Sequence, residues 1–457
     1  MDVITLFSWG LIKVACFFTE QEIKLKNKVK TDKKYVFLNR TEIIDQLNYE
    51  LFIAKRIIAA KQYKSSISSP IIKIAIIAIA MGIVIMMVAV ATGIGLQQKI
   101  REKLSGFNGH IQITNFDDNN SEITLNPVSK KQDFYPKFTT IDGIKNVQVY
   151  ATKAGIIRTE TDFEGIIFKG VGQEYDWTFF KEYLTKGRLP NFSKEVSNEV
   201  LISEEISDRL DIHPGDEFNI LFVKEDPAKA PWIRVVTVVG LYNSGFQEFD
   251  ENFVIADIRH IQKMNRWNDD EVGGFEVLLN NFDEIQEKSD QVYLQTASTL
   301  NSKSVIEKYP AIFEWISLFD NNMFLIIAIM ILVAGINMIT ALLVLILERT
   351  QMVGILKALG GTNFSIRKIF LYNAGYLIVK GLFWGNLIGL TLLFTQKYSG
   401  ILTLDPSTYY VNTVPVHIDF GYIALLNIGT LLLCLAMLII PSVIISKISP
   451  AKSIKFE

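Results

Sequence analysis

Four long apolar segments constrain the fold of this chain more than any other feature. They are residues 71–96, 323–347, 370–394 and 420–445, and each contains at most one charged residue. About 20 apolar residues are enough to cross the hydrocarbon core of a bilayer as a helix. Lipid offers the backbone no hydrogen-bond partners, so segments of this length are expected to span as α-helices. The sequence therefore predicts an integral membrane protein with four transmembrane helices.

The polar region between the first two segments predicts a large α+β domain outside the bilayer. Short alternating stretches are typical of strands, and apolar residues three or four apart are typical of helices. Helices are predicted at 204–210, 258–264 and 283–297. Strands are predicted at 110–114, 147–151, 155–159, 165–171, 199–202, 217–223, 233–241 and 275–279.

These patterns divide the chain into ten segments. Residues 1–47 form an N-terminal extension that the sequence leaves open between an interfacial segment, a signal-like start and a dispensable addition. The remaining segments are a cytoplasmic interfacial helix (48–69), a first span (70–97), the α+β domain (98–320), a second span (323–347), a cytoplasmic loop (348–369), a third span (370–395), an outer loop (396–419), a fourth span (420–446) and a tail (447–457).

The distribution of charge predicts the orientation of the spans. Basic residues flank the first span on its N-terminal side, fill the 348–369 loop and follow the fourth span, whereas acidic residues outnumber basic ones between 97 and 320. Lysine and arginine are enriched in cytoplasmic loops. Both termini and the 348–369 loop are therefore expected in the cytoplasm, and the large domain outside it.

No pattern in the sequence points to catalysis. The histidines are His110, His213, His260 and His417, and none has the spacing of a metal site. No nucleotide-binding G-x-x-x-x-G-K-[ST] and no hydrolase or metalloprotease motif occurs. With only Cys16 and Cys434, the large domain has no disulfide framework. We expect no enzyme activity, no bound metal or cofactor, and no nucleic-acid partner.

Several residues inside the spans have two possible interpretations, one functional and one as ordinary helix packing. Met81, Met86, Met87 and Asn337 are candidates for a lipid or substrate cavity, or alternatively for ordinary helix contacts. Lys380 indicates either a buried partner or a side chain that reaches the interface. A run of small residues at every fourth position predicts close helix packing, namely Gly381, Gly385 and Gly389.

With these residues identified, the chain resembles the lipoprotein-releasing (Lol) permeases of the FtsX/MacB-type ABC transporter superfamily. The resemblance covers about residues 48 to 457. The stretches that carry it are ELFIAKR, AIAMGIVIMMVAVATGIGLQQKIREKLSGFNGHIQI, LERTQMVGILKALGGTNFSIRKIF and SPAKSIKFE. The outer loop DPSTYYVNTVPVHIDF is similar to that of the lipoprotein-releasing branch in particular.

The resemblance implies a multi-pass inner-membrane permease that works with a second permease copy or paralogue and a separate cytoplasmic ATPase homodimer. ATP and Mg would bind that ATPase. Hydrolysis of the ATP would drive release of a lipoprotein from membrane lipid toward a periplasmic carrier. Residues 350–359 correspond to the helix that docks on the ATPase. The apolar contact would come from Met352, Val353, Ile355, Leu356 and Leu359, and the polar rim from Glu348, Arg349 and Lys357.

The chain also departs from the family pattern, and an alternative function stays open. The permease type that recruits the carrier has a long hairpin in its outer domain, whereas the matching loop at 223–231 is short. The sequence therefore does not assign the permease type, the carrier contact or the cargo. The alternative is a mechanotransmitting FtsX/MacB-type permease that acts in efflux or on a periplasmic partner.

Overall fold

A computed structural model describes residues 50–57, 68–118, 121–159, 162–192, 195–224 and 230–448. The chain divides into two compact units. The helical unit contains the described residues up to Gly95, together with Ile316–Gly400 and the chain from Val416. The sheet unit contains Leu96–Trp315 and Ile401–Pro415.

Within the described residues, four helices are long and apolar enough to cross a membrane. We call them spans 1 to 4. Their bounds are Ser68–Asn108 for span 1, Pro310–Glu348 for span 2, Asn363–Ser399 for span 3, and Phe420–Ser442, continued by Ile444–Lys447, for span 4. The predicted four-helix architecture is confirmed, with the large domain between spans 1 and 2.

Packing of spans 1 and 3 depends on glycines. A Cβ atom added at Gly381 would lie 2.8 Å from the side chain of Ile79. One added at Gly385 would collide with Ile83 and lie 2.9 Å from the Ala80 carbonyl oxygen. Small residues allow helix backbones to approach closely where lipid provides no hydrophobic driving force. The predicted glycine run therefore lies directly against span 1.

The sheet unit is built on a ten-stranded sheet over the described residues, with the order β12-β1-β11-β3-β4-β9-β6-β8-β5 and β7 paired to both β3 and β8. Most neighbours are antiparallel, but β4–β9 and β6–β8 are parallel. The strands are β1 (Ile111–Asn115), β2 (Val128–Ser129), β3 (Ile144–Arg158), β4 (Phe163–Val171), β5 (Leu184–Gly187), β6 (Glu199–Ser203), β7 (Glu217–Phe222), β8 (Trp232–Tyr242), β9 (Phe253–Asp257), β10 (Glu271–Val272), β11 (Gly274–Leu279) and β12 (Leu300–Ser304).

The long strand β3 joins the two halves of this sheet. Its first residues pair with β11, its last residues pair with β7, and β4 accompanies it from Tyr150 to Arg158. The pairings run from β3 through β4, β9, β6, β8 and β7 back to β3. Helices flank the sheet at Thr178–Tyr183, Glu204–Leu210, Gln247–Asn252, Arg259–Asn265, Ile285–Gln295 and Val305–Lys308.

The outer loop between spans 3 and 4 belongs to the sheet unit. The ring of Tyr410 stacks on Phe246, with 4.7 Å between the centroids, and the Tyr410 carbonyl accepts a 2.9 Å hydrogen bond from Lys103 Nζ. Trp315 meets the same tyrosine ring edge-on at 5.9 Å. These contacts hold the loop to the end of span 1 and to the start of span 2.

The strand and helix predictions were largely right in the sheet unit. The helix at 204–210 is confirmed at its full length, whereas the two strands predicted at 147–151 and 155–159 are one strand, β3. Pairing with β4 along its whole second half keeps β3 extended through Thr152 and Lys153. Most of the predicted hairpin loop at 223–231, all of 1–47 and the tail from 449 lie outside the described residues.

We predict that Gly385→Ala destabilises the helical unit by about 1–3 kcal/mol, the usual effect of overpacking a core. The physical reason is the collision of the new methyl group with Ile83 and Ala80. Thermal unfolding of the purified protein in detergent measures the effect. Gly375→Ala in the same helix is the control, because its Cβ would meet only Leu435 at 3.8 Å. Equal unfolding temperatures for the two variants would contradict the packing account.

Candidate functional site

A short helix, Thr350–Ala358, connects spans 2 and 3 in the helical unit. A turn of two glycines ends it. Gly360 has a φ of +94°, and a Cβ at Gly361 would lie 2.7 Å from the Leu356 carbonyl oxygen. Because a side chain is strained at the first position and has no room at the second, glycine suits both. Thr362 then caps the next helix by accepting from the Ser365 amide at 3.2 Å. We call residues 348–370 the connecting segment.

The inner face of the short helix is part of the core of the helical unit. Val353 is fully buried, at 0% exposure. Met352 and Leu356 are half-buried and pack against Ala54 and Ile57 of the 50–57 helix. Apolar contacts therefore fix this helix to both the spans and the N-terminal helix.

Lys357 joins the short helix to the end of span 4. Its Nζ donates to the carbonyl oxygens of Ile445 (2.7 Å), Ser446 (3.2 Å) and Ile448 (2.8 Å). The last carbonyls of a helix have no intrahelical partner and carry partial negative charge, so a cation is favoured there. Burial and the neighbouring Arg367 guanidinium lower the pKa of Lys357. Arg367 also donates to the Ser446 hydroxyl.

Glu50 connects the N-terminal helix to the connecting segment on its other side. Its carboxylate accepts a 2.7 Å hydrogen bond from the Ser365 hydroxyl and lies 3.8 Å from Lys368 Nζ. The carboxylate is mostly buried, so the hydrogen bond replaces water that burial removes. No sequence pattern predicted this contact, although Glu50 begins the ELFIAKR stretch.

The outer face of the connecting segment is apolar and exposed. Ile355 is 45% exposed and Leu359 is 80% exposed. Leu347, at the end of span 2, and Phe364, at the start of span 3, are also exposed. Large apolar side chains that stay exposed close together in the sequence, at a connection between spans, are candidates for an interaction surface. We call Leu347, Ile355, Leu359 and Phe364 the outer surface.

The structure thus separates the residues that the sequence analysis grouped together. Ile355 and Leu359 lie on the outer surface, Glu348 is exposed, and Arg349 is half-buried. Val353 points into the core, Met352 and Leu356 contact the N-terminal helix, and the Lys357 ammonium group faces span 4.

The candidate cavity residues are not brought together on one surface. Met81 is exposed, whereas Met86 and Met87 are buried, and Met87 Sδ lies 3.3 Å from a Cβ built at Gly389. Asn337 is half-buried and Lys380 is exposed on span 3. Asn386 and Asn427 form an unpredicted polar contact by donating to each other's side-chain oxygens at 2.6 and 2.9 Å, which links spans 3 and 4.

No group of histidine, cysteine and carboxylate side chains that could hold a metal ion occurs in the described part of the chain. Among the titratable groups of the sheet unit, burial lowers the pKa of His110 to about 4 and raises the pKa of Asp250 to about 6. The Asp250 carboxylate stabilises the Ser244–Gly245 turn. It accepts hydrogen bonds from the Ser244 hydroxyl at 2.6 Å and from the Gly245 amide at 2.8 Å. Its role is therefore structural.

Comparison with known proteins adds the family context. Residues 74–308, a little over half of the chain, match the MacB-like periplasmic core domain, and residues 324–450 match the FtsX-like permease C-terminal domain. The lipoprotein-releasing system transmembrane protein LolC of Neisseria meningitidis is 22% identical over 89% of this chain and 99% of that protein. The corresponding LolE protein of Haemophilus influenzae is 19% identical over 89% and 99%.

Among solved structures, the periplasmic region of MacB from Actinobacillus actinomycetemcomitans matches with a TM-score of 0.31 and 15% identity. That match covers 47% of this chain and 95% of the MacB chain.

We predict that Lys357→Met lowers the free energy of unfolding by about 1–3 kcal/mol, because the partly buried carbonyl groups at the end of span 4 lose the ammonium donor. Thermal unfolding in detergent measures the change. Lys380→Met is the matched control, since Lys380 is exposed on span 3. If the control loses as much stability as Lys357→Met, the proposed cap on span 4 is wrong.

Proposed function

Because this chain belongs to the family of permeases that carry a MacB-like periplasmic core domain, we propose that it is the permease subunit of a lipoprotein-releasing ABC transporter. A separate cytoplasmic ATPase supplies the energy, and the permease acts with a second permease copy or a paralogue. The observation that carries this proposal is the match of nearly the whole chain to relatives named as transmembrane proteins of the lipoprotein-releasing system.

The outer surface supports the assignment of an ATPase partner. Ile355 and Leu359 are exposed at the end of a short helix whose opposite face is locked into the core. The sequence contains no P-loop motif, so the proposal assigns nucleotide hydrolysis to a separate ATPase. We propose that the outer surface enters a groove of that ATPase, with Glu348 and Arg349 at the rim. ATP and Mg would bind the partner.

The contacts behind the outer surface give docking a mechanical consequence. The short helix is fixed to the N-terminal helix through Leu356, and to span 4 through Lys357. It continues into span 3 through a turn held by Gly360 and Gly361. A push on the outer surface would therefore reach spans 2, 3 and 4 as one packed body, since packed interiors transmit strain.

The chemistry of the cargo explains why ATP is needed. A lipoprotein is held in the bilayer by acyl chains, and each buried methylene contributes about 0.8 kcal/mol to the anchoring. Release of a multiply acylated protein without an energy source would be slow for that reason. Met81, exposed on span 1, and Asn337, half-buried on span 2, are the remaining candidates for contact with acyl chains, because Met86 and Met87 are buried.

The proposed orientation follows the basic residues. The connecting segment contains Arg349, Lys357, Arg367 and Lys368, which supports a cytoplasmic location for it by the positive-inside rule. The sheet unit would then face the periplasm, where a soluble carrier would accept the lipoprotein. The alternative of an efflux or other mechanotransmitting permease is not favoured by the names of these relatives.

We predict that depletion of this protein in its host causes acylated lipoproteins to accumulate in the inner membrane. Membrane fractionation followed by detection of a lipoprotein that normally reaches the outer membrane measures this outcome. An unacylated periplasmic protein is the control, and its location should not change. Normal sorting of lipoproteins after depletion would exclude the proposed cargo.

We predict that Ile355→Asp combined with Leu359→Asp weakens binding of the ATPase by at least about tenfold. Burial of one leucine side chain contributes roughly 1.5–3 kcal/mol, and a tenfold change corresponds to about 1.4 kcal/mol. Both side chains are exposed, so membrane insertion and folding should be unchanged. Co-purification with the ATPase at several protein concentrations measures the affinity.

Leu294→Asp is the matched control, because Leu294 is 82% exposed in the sheet unit. It should bind the ATPase as the wild type does. Wild-type affinity in the Ile355/Leu359 variant would show that the ATPase docks elsewhere.

A further inference from the structure

The C-terminal end of span 1 is enclosed by the sheet unit. Phe107 is fully buried, and its ring stacks on Phe249 with 4.0 Å between the centroids. Phe253 meets the same ring edge-on at 4.9 Å. Aromatic pairs of this kind add to the free energy gained from burial alone. The end of a long transmembrane helix is therefore part of the core of the domain that follows it.

A buried ion pair holds one carbonyl group in the last turn of this helix, that of Phe107. Lys169 Nζ on β4 lies 2.7 Å from Glu276 Oε1 on β11, and the two side chains are only 3% and 0% exposed. Lys169 Nζ also donates to the Phe107 carbonyl oxygen and lies 4.6 Å from the centroid of the Phe107 ring. Gln148 on β3 donates to the other carboxylate oxygen of Glu276 at 2.9 Å. Three neighbouring strands thus converge on one helix end.

The residues around the ion pair leave the helix little room to shift. A Cβ atom at Gly106 would lie 2.5 Å from the ring of Phe179. Gly109 follows the helix with a φ of +75°, and a Cβ there would lie 2.8 Å from Glu276 Cβ. Asn108 donates to the Tyr309 hydroxyl at 3.3 Å, at the point where span 2 is about to begin.

Stability alone does not explain this ion pair. Buried ion pairs are often no more stable than apolar residues of the same volume, because both charges lose water. Burial lowers the pKa of Lys169 for the same reason. A geometric role does explain it: the ammonium group is directed at the partial negative charge of the helix end, and the carboxylate fixes the ammonium group in place.

We propose that Lys169 and Glu276 are positioning residues of the transport cycle, which fix the end of span 1 to the sheet so that displacement of span 1 moves the domain. This inference rests on the proposed function of the chain as a driven permease. The pair contacts no substrate and acts through the helix end.

The test is the double variant Lys169→Met with Glu276→Gln in the complete transporter with its ATPase. It removes both charges at nearly constant volume and keeps an acceptor for Gln148. The control is Arg188→Met with Glu199→Gln, which removes a more exposed ion pair of the same unit. Lipoprotein release from proteoliposomes and ATP hydrolysis are measured in parallel.

We expect the double variant to hydrolyse ATP at a rate near that of the wild type and to release lipoprotein at least about fivefold more slowly, the lower end of typical coupling effects. The control should retain both activities. Wild-type release in the double variant, or an equal loss in the control, would overturn the inference. If the double variant does not accumulate, Glu276→Gln alone replaces it, and wild-type release in that variant also overturns the inference.

A distance measurement separates this inference from the proposed function. Spin labels at Gln98 on span 1 and Leu294 on the sheet unit, in a protein lacking Cys16 and Cys434, report the position of the helix end. A narrow distance distribution in the wild type that broadens in the double variant supports the attachment of span 1 to the sheet through Lys169 and Glu276. It does so even if the wild type releases no lipoprotein. An unchanged distribution contradicts this attachment, whichever cargo the permease transports.

Discussion

The bilayer requires that each spanning segment satisfy its own backbone hydrogen bonds, and the rest of this structure depends on that constraint. Helices meet it, and in the described part of the chain four helices are long and apolar enough to do so. Under the proposed function, work that an ATPase does at the connecting segment would pass along these helices. The short helix of the connecting segment and the end of span 1 are the places where such work would enter and leave.

A lysine side chain bonds the carbonyl end of a span at both places. Lys357 occupies the carbonyl end of span 4, and Lys169 occupies the carbonyl end of span 1. In each case an ammonium group from another element donates to carbonyl oxygen in the last turn of a helix, where intrahelical donors become scarce. Hydrogen bonds are directional, so these contacts fix the orientation of a helix end, whereas apolar packing in lipid fixes mainly its distance from its neighbours.

Much of the fold could be predicted because its signals are local. Apolar length identifies the spans, and alternation identifies most strands, including the exact extent of the helix at Glu204–Leu210. The sequence predicts two strands in place of β3, because Thr152 and Lys153 interrupt the alternation of apolar residues. Pairing with β4 keeps the strand continuous there.

The site was harder to predict because its geometry is not local. Val353 and Ile355 are both β-branched apolar residues of one short helix, and the sequence does not say which one the spans will cover. Lys357 has the sequence pattern of a solvated rim residue, yet its partners lie about 90 positions later in the chain. Lys169 and Glu276 are separated by more than 100 residues and meet only because β3 lies between their strands.

The central claim is that this permease converts ATP hydrolysis into release of lipoproteins. The most direct measurement uses proteoliposomes that contain the permease, its ATPase and one acylated lipoprotein, with a soluble acceptor outside. The account predicts that lipoprotein appears in the soluble fraction when ATP is supplied, and not with a non-hydrolysable analogue. ATP hydrolysis by the intact complex with no release of any acylated protein would contradict it.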